Sequence, residues 1–227
     1  AKTLELSIYY LDKIIGLIAS LEQFIIKNIP LNMPLLISSY LVIISLIIAS
    51  EQRNTKSLFR VLTSIVILQL ASIATKREIQ NQTEFIVLNT SKKTQLIERN
   101  GTFTTVYTND SILKKLNKNK IVSSYLTANF STLKQQYKLK NLFYFKGNKI
   151  LLIDSLMVYP KNIQPDIVIL TQSPKLNLHR LLQTIKPKII IADASNYKTI
   201  QKKWAVTCSQ QKIPFHATSE KGFYKIN

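Results

Sequence analysis

Residues 31–50 (LNMPLLISSYLVIISLIIAS) carry no charge over twenty positions, the length a helix needs to cross about 30 Å of hydrocarbon. They predict a membrane helix. Residues 58–75 (LFRVLTSIVILQLASIAT) form a second apolar run, interrupted only by Arg60 near its start, where a long basic side chain can snorkel to the interface. The same pattern fits two buried helices of a soluble domain, although core helices are usually shorter. Upstream, residues 4–26 repeat apolar side chains at helical spacing with Glu5, Asp12, Lys13 and Glu22 among them. That pattern predicts an amphipathic helix lying at the interface or packed on a membrane bundle, ended before Pro30.

From Lys76 onward the period shortens. Strand-like segments fall at 84–89, 94–99, 102–108, 141–146, 149–154, 166–170 and 188–193, with turn signals at Asn100-Gly101 and Gly147-Asn148, so the first and middle parts predict antiparallel hairpins. The last third alternates differently. DIVIL and KIIIAD are continuous apolar runs suited to strands covered on both faces, separated by a helix over 176–185 that Pro187 closes. Residues 197–211 predict a second helix with Ile200, Trp204 and Cys208 on one face, and 213–226 supply two last short strands around Glu220 to Gly222. The expected fold class is a membrane α-helical segment followed by an α/β (α+β) domain with a mixed sheet. The expected organisation is an amphipathic segment at 1–30, two membrane helices within 31–75, at about 31–50 and 58–75, and a basic domain at 76–227.

Charge sharpens this division. The 227 residues hold 31 Lys and Arg against 12 Asp and Glu, a formal +19, yet are 46% hydrophobic. Oil and charge are segregated: residues 76–227 hold 25 Lys and Arg and 8 Asp and Glu, or +17. A single cysteine, Cys208, excludes a disulfide framework and a cysteine zinc cluster, and two histidines, His179 and His216, cannot build a histidine-rich binuclear metal site. The first residue is Ala1 and the earliest methionine is Met33, so the chain is expected to be part of a longer one. Arg53, Lys56 and Arg60 between the two spans favour a cytoplasmic link and an extracytoplasmic basic domain, whereas Lys76 and Arg77 argue the opposite.

Two groups of side chains are candidates for chemistry. Gln172, Ser173, Lys175 and Asn177 follow one predicted parallel strand, and Ser195, Asn196 and Tyr197 follow the next. Ligands bind at that edge of open α/β sheets. His216, Ser219 and Lys221 complete this groove, which suits a phosphate or a nucleic-acid backbone. The alternative is that these residues only cap helices and build turns. The second group is basic: Lys92, Lys93, Lys114, Lys115, Lys118, Lys202 and Lys203, with Tyr107, Tyr125, Tyr137, Tyr144 and Phe145 interleaved as possible stacking platforms. A solvated surface or a face for anionic lipid explains the lysines equally. Cys208 reads as a core residue, and His179 as a surface one.

Three features resemble the C-terminal end of the ComEC family, bacterial inner-membrane competence proteins that pass single-stranded DNA into the cell. IKNIPLNMP precedes two last membrane helices; a basic domain of metallo-β-lactamase-like size follows; and DIVILTQSPKLNLHRLLQTIKPKIIIADASNYKTIQKKW, with TSEKG after it, is similar to the family's strand, loop, helix, strand pattern. The resemblance is to a variant whose lactamase-like domain is degenerate. Catalytic relatives carry an acidic DVGQGD-type turn where this chain has NTSKKT at 89–94, and an SHHG-type loop where it has TQSP at 171–174. The HxHxDH cluster has no counterpart, and Asp154 and Asp193 alone would at most hold a hard cation weakly. The resemblance therefore implies a non-catalytic, cofactor-free domain in a multi-pass inner-membrane protein. Its implied partners are single-stranded DNA bound weakly without sequence preference, the membrane, the rest of the competence channel and other DNA-uptake machinery. A structural domain with no DNA role is the alternative, and a metal hydrolase would need ligands from another chain.

Overall fold

The computed structural model describes residues 2–20, 29–52, 54–109, 119–158, 160 and 163–226. Helix α1 spans Lys2–Ser20, and its side chains at 8–16 are all exposed; the remainder of the predicted amphipathic segment, 21–28, lies outside the described residues. Helices α2 (Met33–Glu51) and α3 (Thr55–Gln80) are both long and apolar enough to cross a membrane. A core helix of a soluble protein would be mostly buried, but these bury only 11% and 17% of their apolar windows.

The two helices pack on small polar residues. Ser38, Ser45, Ser57 and Ser64 are buried along the seam, and Ser45 Oγ lies 2.8 Å from Ser64 Oγ. Small side chains let helix backbones approach closely where lipid removes any hydrophobic drive. Asn32 accepts from Leu35 N–H at the start of α2 and donates to Thr75 Oγ1 at 2.9 Å, tying that start to the end of α3. Helix α3 is longer than the apolar run at 58–75, because Thr55, Lys56 and Ser57 at one end and Lys76, Arg77 and Glu78 at the other continue the helix.

The remaining described residues form two mixed five-stranded sheets where one was expected. The first has the order β10-β1-β2-β3-β4, from Thr83–Val87 (β1), Gln95–Asn100 (β2), Phe103–Thr108 (β3), Thr132–Lys138 (β4) and Tyr224–Ile226 (β10). The second has the order β5-β6-β7-β8-β9, from Leu142–Phe145, Asn148–Ile153, Ile167–Leu170, Ile189–Ala192 and Phe215–Ala217. Strands β6 to β9 run parallel. Of the last two predicted strands, β9 closes one sheet and β10 crosses to the other, where Phe85 pairs with Ile226.

Alternation in the strands builds three hydrophobic layers. Phe85, Val87 and Leu96 meet Phe143, Ile150, Leu152, Ile169 and Ile191 between the sheets. On the far face of the second sheet, Val168, Leu170 and Ile190 pack under α5 (Leu178–Thr184) and α6 (Lys198–Gln210), with Trp204 and Cys208 buried as expected. On the far face of the first, Ile86, Ile97 and Val106 pack under α4 (Lys120–Ala128), whose Val122 is buried. The domain is thus a helix-sheet-sheet-helix sandwich.

The β2–β3 turn joins this sandwich to the helical hairpin. Gly101 has φ +59°, and a Cβ there would lie 3.1 Å from the Gln80 carbonyl oxygen; its N–H donates to Gln82 O at 2.9 Å. Only glycine fits both the conformation and the approach. Around the same junction Arg99, fully buried, donates to Glu84 at 2.8 Å and to Gln82 Oε1 at 2.7 Å. Glu84 also accepts from Lys225 Nζ at 2.6 Å and Tyr125 Oη at 3.0 Å. Burial alone would push the Glu84 carboxyl up, but the bonds from Lys225, Arg99 and Tyr125 hold it below its usual value.

Candidate functional site

The carboxyl ends of the parallel strands gather most of the predicted loop residues. Leu170, Ala192 and Ala217 are register partners across β7, β8 and β9, so Thr171, Asp193 and Thr218 follow in one row. All three are fully buried. Asp193 Oδ1 accepts from Ser195 N–H, Ser195 Oγ and Asn196 Nδ2. Its other carboxylate oxygen, and the hydroxyls of Thr171 and Thr218, have no hydrogen-bond partner among the described residues. Burial pushes the Asp193 carboxyl up to about 6, against the bonds from Ser195 that favour its charged form.

The two loops after β7 and β8 are knitted together. Gln172 N–H donates to Ser195 Oγ at 2.7 Å, Ser173 N–H to Asn196 Oδ1 at 2.7 Å, and Tyr197 N–H to Ser173 Oγ at 2.8 Å. Gln172 and Ser173 both adopt positive φ, 58° and 53°, held by these bonds. Gln201 Nε2 donates to Asn196 O, and Gln201 Oε1 accepts from Ser219 Oγ at 2.6 Å, which adds the last loop to the network. Gln201, buried on α6, escaped the sequence reading because an amide in an amphipathic helix ordinarily faces water.

The other predicted groove residues sit apart. Lys175 and Asn177 line a cleft of about 540 Å³ with Arg180, Leu181 and Ile185, and Asn177 Oδ1 caps α5 by accepting from Arg180 N–H at 3.1 Å. His216 Nε2 lies 3.0 Å from Gly222 O and its ring packs on Tyr224 at 4.8 Å. Lys221 Nζ donates to Phe215 O at 3.3 Å. For Asn177, His216 and Lys221 the structure assigns capping and packing contacts. His179 is exposed on α5.

The 89–94 turn of the first sheet reaches over this edge. Lys92 N–H donates to Ala194 O at 3.4 Å and Thr94 Oγ1 donates to Ser195 Oγ at 3.3 Å, while the Lys92 and Lys93 side chains are exposed. Helix α6 begins at the same loops with Lys198 and no acidic residue in its first turn, and Lys202 and Lys203 are exposed one turn on. Lys114, Lys115 and Lys118 lie outside the described residues. Among the described residues, three carboxylates share this end of the sheet with the lysines: buried Asp193, half-buried Asp154 after β6 and exposed Glu220 after β9.

The predicted stacking aromatics divide. Phe145 is 7% exposed and belongs to the core between the sheets, because β5 alternates Phe143 and Phe145 inward with Tyr144 outward. Tyr125 donates to Glu84. Tyr107 and Tyr137 stack on each other at 5.9 Å.

A family model, the ComEC C-terminal domain, matches residues 85–227. Comparison with curated proteins and with solved structures gives no match.

Proposed function

This chain belongs to the ComEC family, and from that membership we propose that its basic domain binds and guides single-stranded DNA electrostatically, without hydrolysing it, beside the membrane part of a DNA-uptake channel. The observation that carries this reading is the turn at 89–94. It lays exposed Lys92 and Lys93 over the strand ends, next to the lysine-bearing start of α6. Ammonium groups at a helix N-terminus make a field that attracts phosphates without reading bases.

The donors at this edge favour binding over hydrolysis. Most are hydroxyls and amides, several of them engaged with one another around buried Asp193, whereas a two-metal hydrolase needs imidazole and carboxylate ligands facing the substrate. In this reading the sandwich is a lactamase-like frame whose edge no longer fits such metals. In this reading the domain lies at the surface of the bacterial inner membrane in a multi-pass protein, on its extracytoplasmic side, and the two long apolar helices support the membrane part of it.

A salt titration tests this. The full 227-residue chain in detergent should bind a labelled oligothymidylate at low salt, with log affinity falling linearly with log salt by about 0.7 per phosphate neutralised. Absence of binding at low salt would refute it. A second reading, support of the channel bundle without DNA contact, draws on the docking of Gly101 against the end of α3. Transformation that survives deletion of 76–227 in the full-length protein would exclude a transport role.

A further inference from the structure

The inner face of the first sheet is longer than the second sheet covers. Rings run in a ladder from the core to the surface: Phe145 to Phe85 at 5.7 Å, Phe85 to Phe143 at 5.6 Å, Phe143 to Tyr107 at 4.9 Å, and Tyr107 to Tyr137 at 5.9 Å. Phe85 and Phe143 are buried, while Tyr137 at the end of the ladder is 41% exposed. Beyond Tyr107 the sheet opens into a cleft of about 340 Å³ lined by Glu98, Asn100, Phe103, Thr105, Lys134 and Gln135.

Phe103, at the start of β3, is 54% exposed. It stands four residues from Tyr107 on the same face of the strand, about 13 Å away at roughly 3.3 Å per residue. Each exposed ring has a lysine over it: Lys134 Nζ lies 5.3 Å from the Phe103 centroid and Lys140 Nζ 5.8 Å from that of Tyr137. Glu98, the one carboxylate among the described residues that line the cleft, accepts from Tyr107 Oη at 2.7 Å, so it fixes the Tyr107 ring in the ladder. Tyr137 Oη is likewise held, donating to Gln135 Oε1 at 2.6 Å. These rings are preorganised. The ladder anchors Tyr137 through Tyr107, and Phe103 follows the turn that Gly101 fixes against α3.

An exposed ring at a sheet surface exposes apolar area that only a planar or apolar partner covers. Two rings separated along a strand and flanked by ammonium groups fit a partner that repeats a π-face and a negative charge along its length. An anionic lipid supplies the charge but no planar face.

We propose that the uncovered inner face of β3 and β4 is a stacking platform for single-stranded nucleic acid, with Phe103 and Tyr137 each taking a base and Lys134 and Lys140 contacting the backbone. The platform starts beside the Gly101 turn at the end of α3, so a strand lying on it runs toward the helical hairpin. This inference rests on the nucleic-acid reading above and gives it a second, base-contacting surface separate from the lysines of the strand-end loops.

The test uses the full chain in detergent, a labelled oligothymidylate, and an abasic strand of the same length. Phe103→Ala and Tyr137→Ala should each weaken oligothymidylate binding about tenfold and leave abasic-strand binding unchanged, with Tyr137→Phe retaining the parental affinity. Lys134→Ala should weaken both strands and lower the salt dependence. Thermal melts report folding, and Phe103→Leu removes the ring while keeping apolar bulk. Parental binding with no effect of either ring would overturn the platform and leave the electrostatic reading standing. Loss of binding to phosphatidylglycerol vesicles, with oligothymidylate binding intact, would overturn it in favour of a lipid face. No binding by the parent at low salt would overturn both readings.

Discussion

Thr94 Oγ1 on the first sheet donates to Ser195 Oγ beside the second across 3.3 Å, joining residues 101 positions apart. Thr94 is fully buried and Thr108 Oγ1 donates to its carbonyl at 3.1 Å, so the base of the 89–94 turn is anchored in both sheets. Lys92 and Lys93 are therefore displayed by a rigid support. That geometry separates a basic surface built into the fold from one that merely follows a lysine-rich composition.

Asp193 behind that contact should make the domain less stable as pH rises. Its folded value, about 6, lies above its ordinary value of 3.8, so the folded state binds the proton more tightly than the unfolded one. Stability is fully present below the ordinary value and declines as pH rises through about 6, by roughly 3 kcal/mol in all. Asp193→Asn should flatten that decline. Urea unfolding of both proteins at about pH 4 and about pH 7 checks it; equal slopes with pH in the two proteins would contradict the prediction.

Glu84 should act with the opposite sign. Its folded value is depressed, so its contribution is present above its ordinary value of 4.5 and is lost as pH falls through the depressed one. Glu84→Gln removes the charged partner of fully buried Arg99 and of Lys225 on β10. Stranding a buried guanidinium costs about 3–5 kcal/mol. The expected signs are a lower denaturant midpoint and earlier proteolysis at the C-terminal strand. Arg99→Met together with Glu84→Leu should recover much of the loss, since an apolar pair leaves no buried charge.

Gly101→Ala should destabilise the domain by about 1–3 kcal/mol, because alanine is strained at positive φ and its Cβ meets the Gln80 carbonyl oxygen at 3.1 Å. Gly147→Ala, at φ +79° but with open space around it, should cost only the conformational part. Comparing their melting temperatures separates conformation from contact. Equal losses would show that the approach to α3 contributes nothing.

Much of the fold was legible where burial leaves a mark on composition. IVIL in β7 and IIIA in β8 are covered on both faces and read directly as buried strands. Strand β4, TLKQQYK, was not legible. It is the edge of its sheet with its inner face uncovered, and its alternation carries almost no apolar signal. Helix α4 was missed with it, since only Val122 of KIVSSYLTA is buried. Half of the proposed platform, β4, lies in that unread stretch, while β3 read as a strand; Ser173, Ser195 and Asn196 were legible as residues of loops after parallel strands because that is a local pattern.

By itself the sequence determined the segregation of oil from charge, the helical hairpin, the lysine turn at 89–94 and the order of most strands, because each depends on neighbours a few residues apart. Only the tertiary structure decided that there are two sheets, since that depends on Phe85, Val87 and Leu96 packing on Phe143, Ile150 and Leu152 far along the chain. It also decided which charges are interior: Arg99, Glu84 and Asp193 look like surface residues in sequence, and long-range packing alone removed them from water. Local periodicity fixes which face of an element is apolar, but the partner of that face is set by contacts no short window contains.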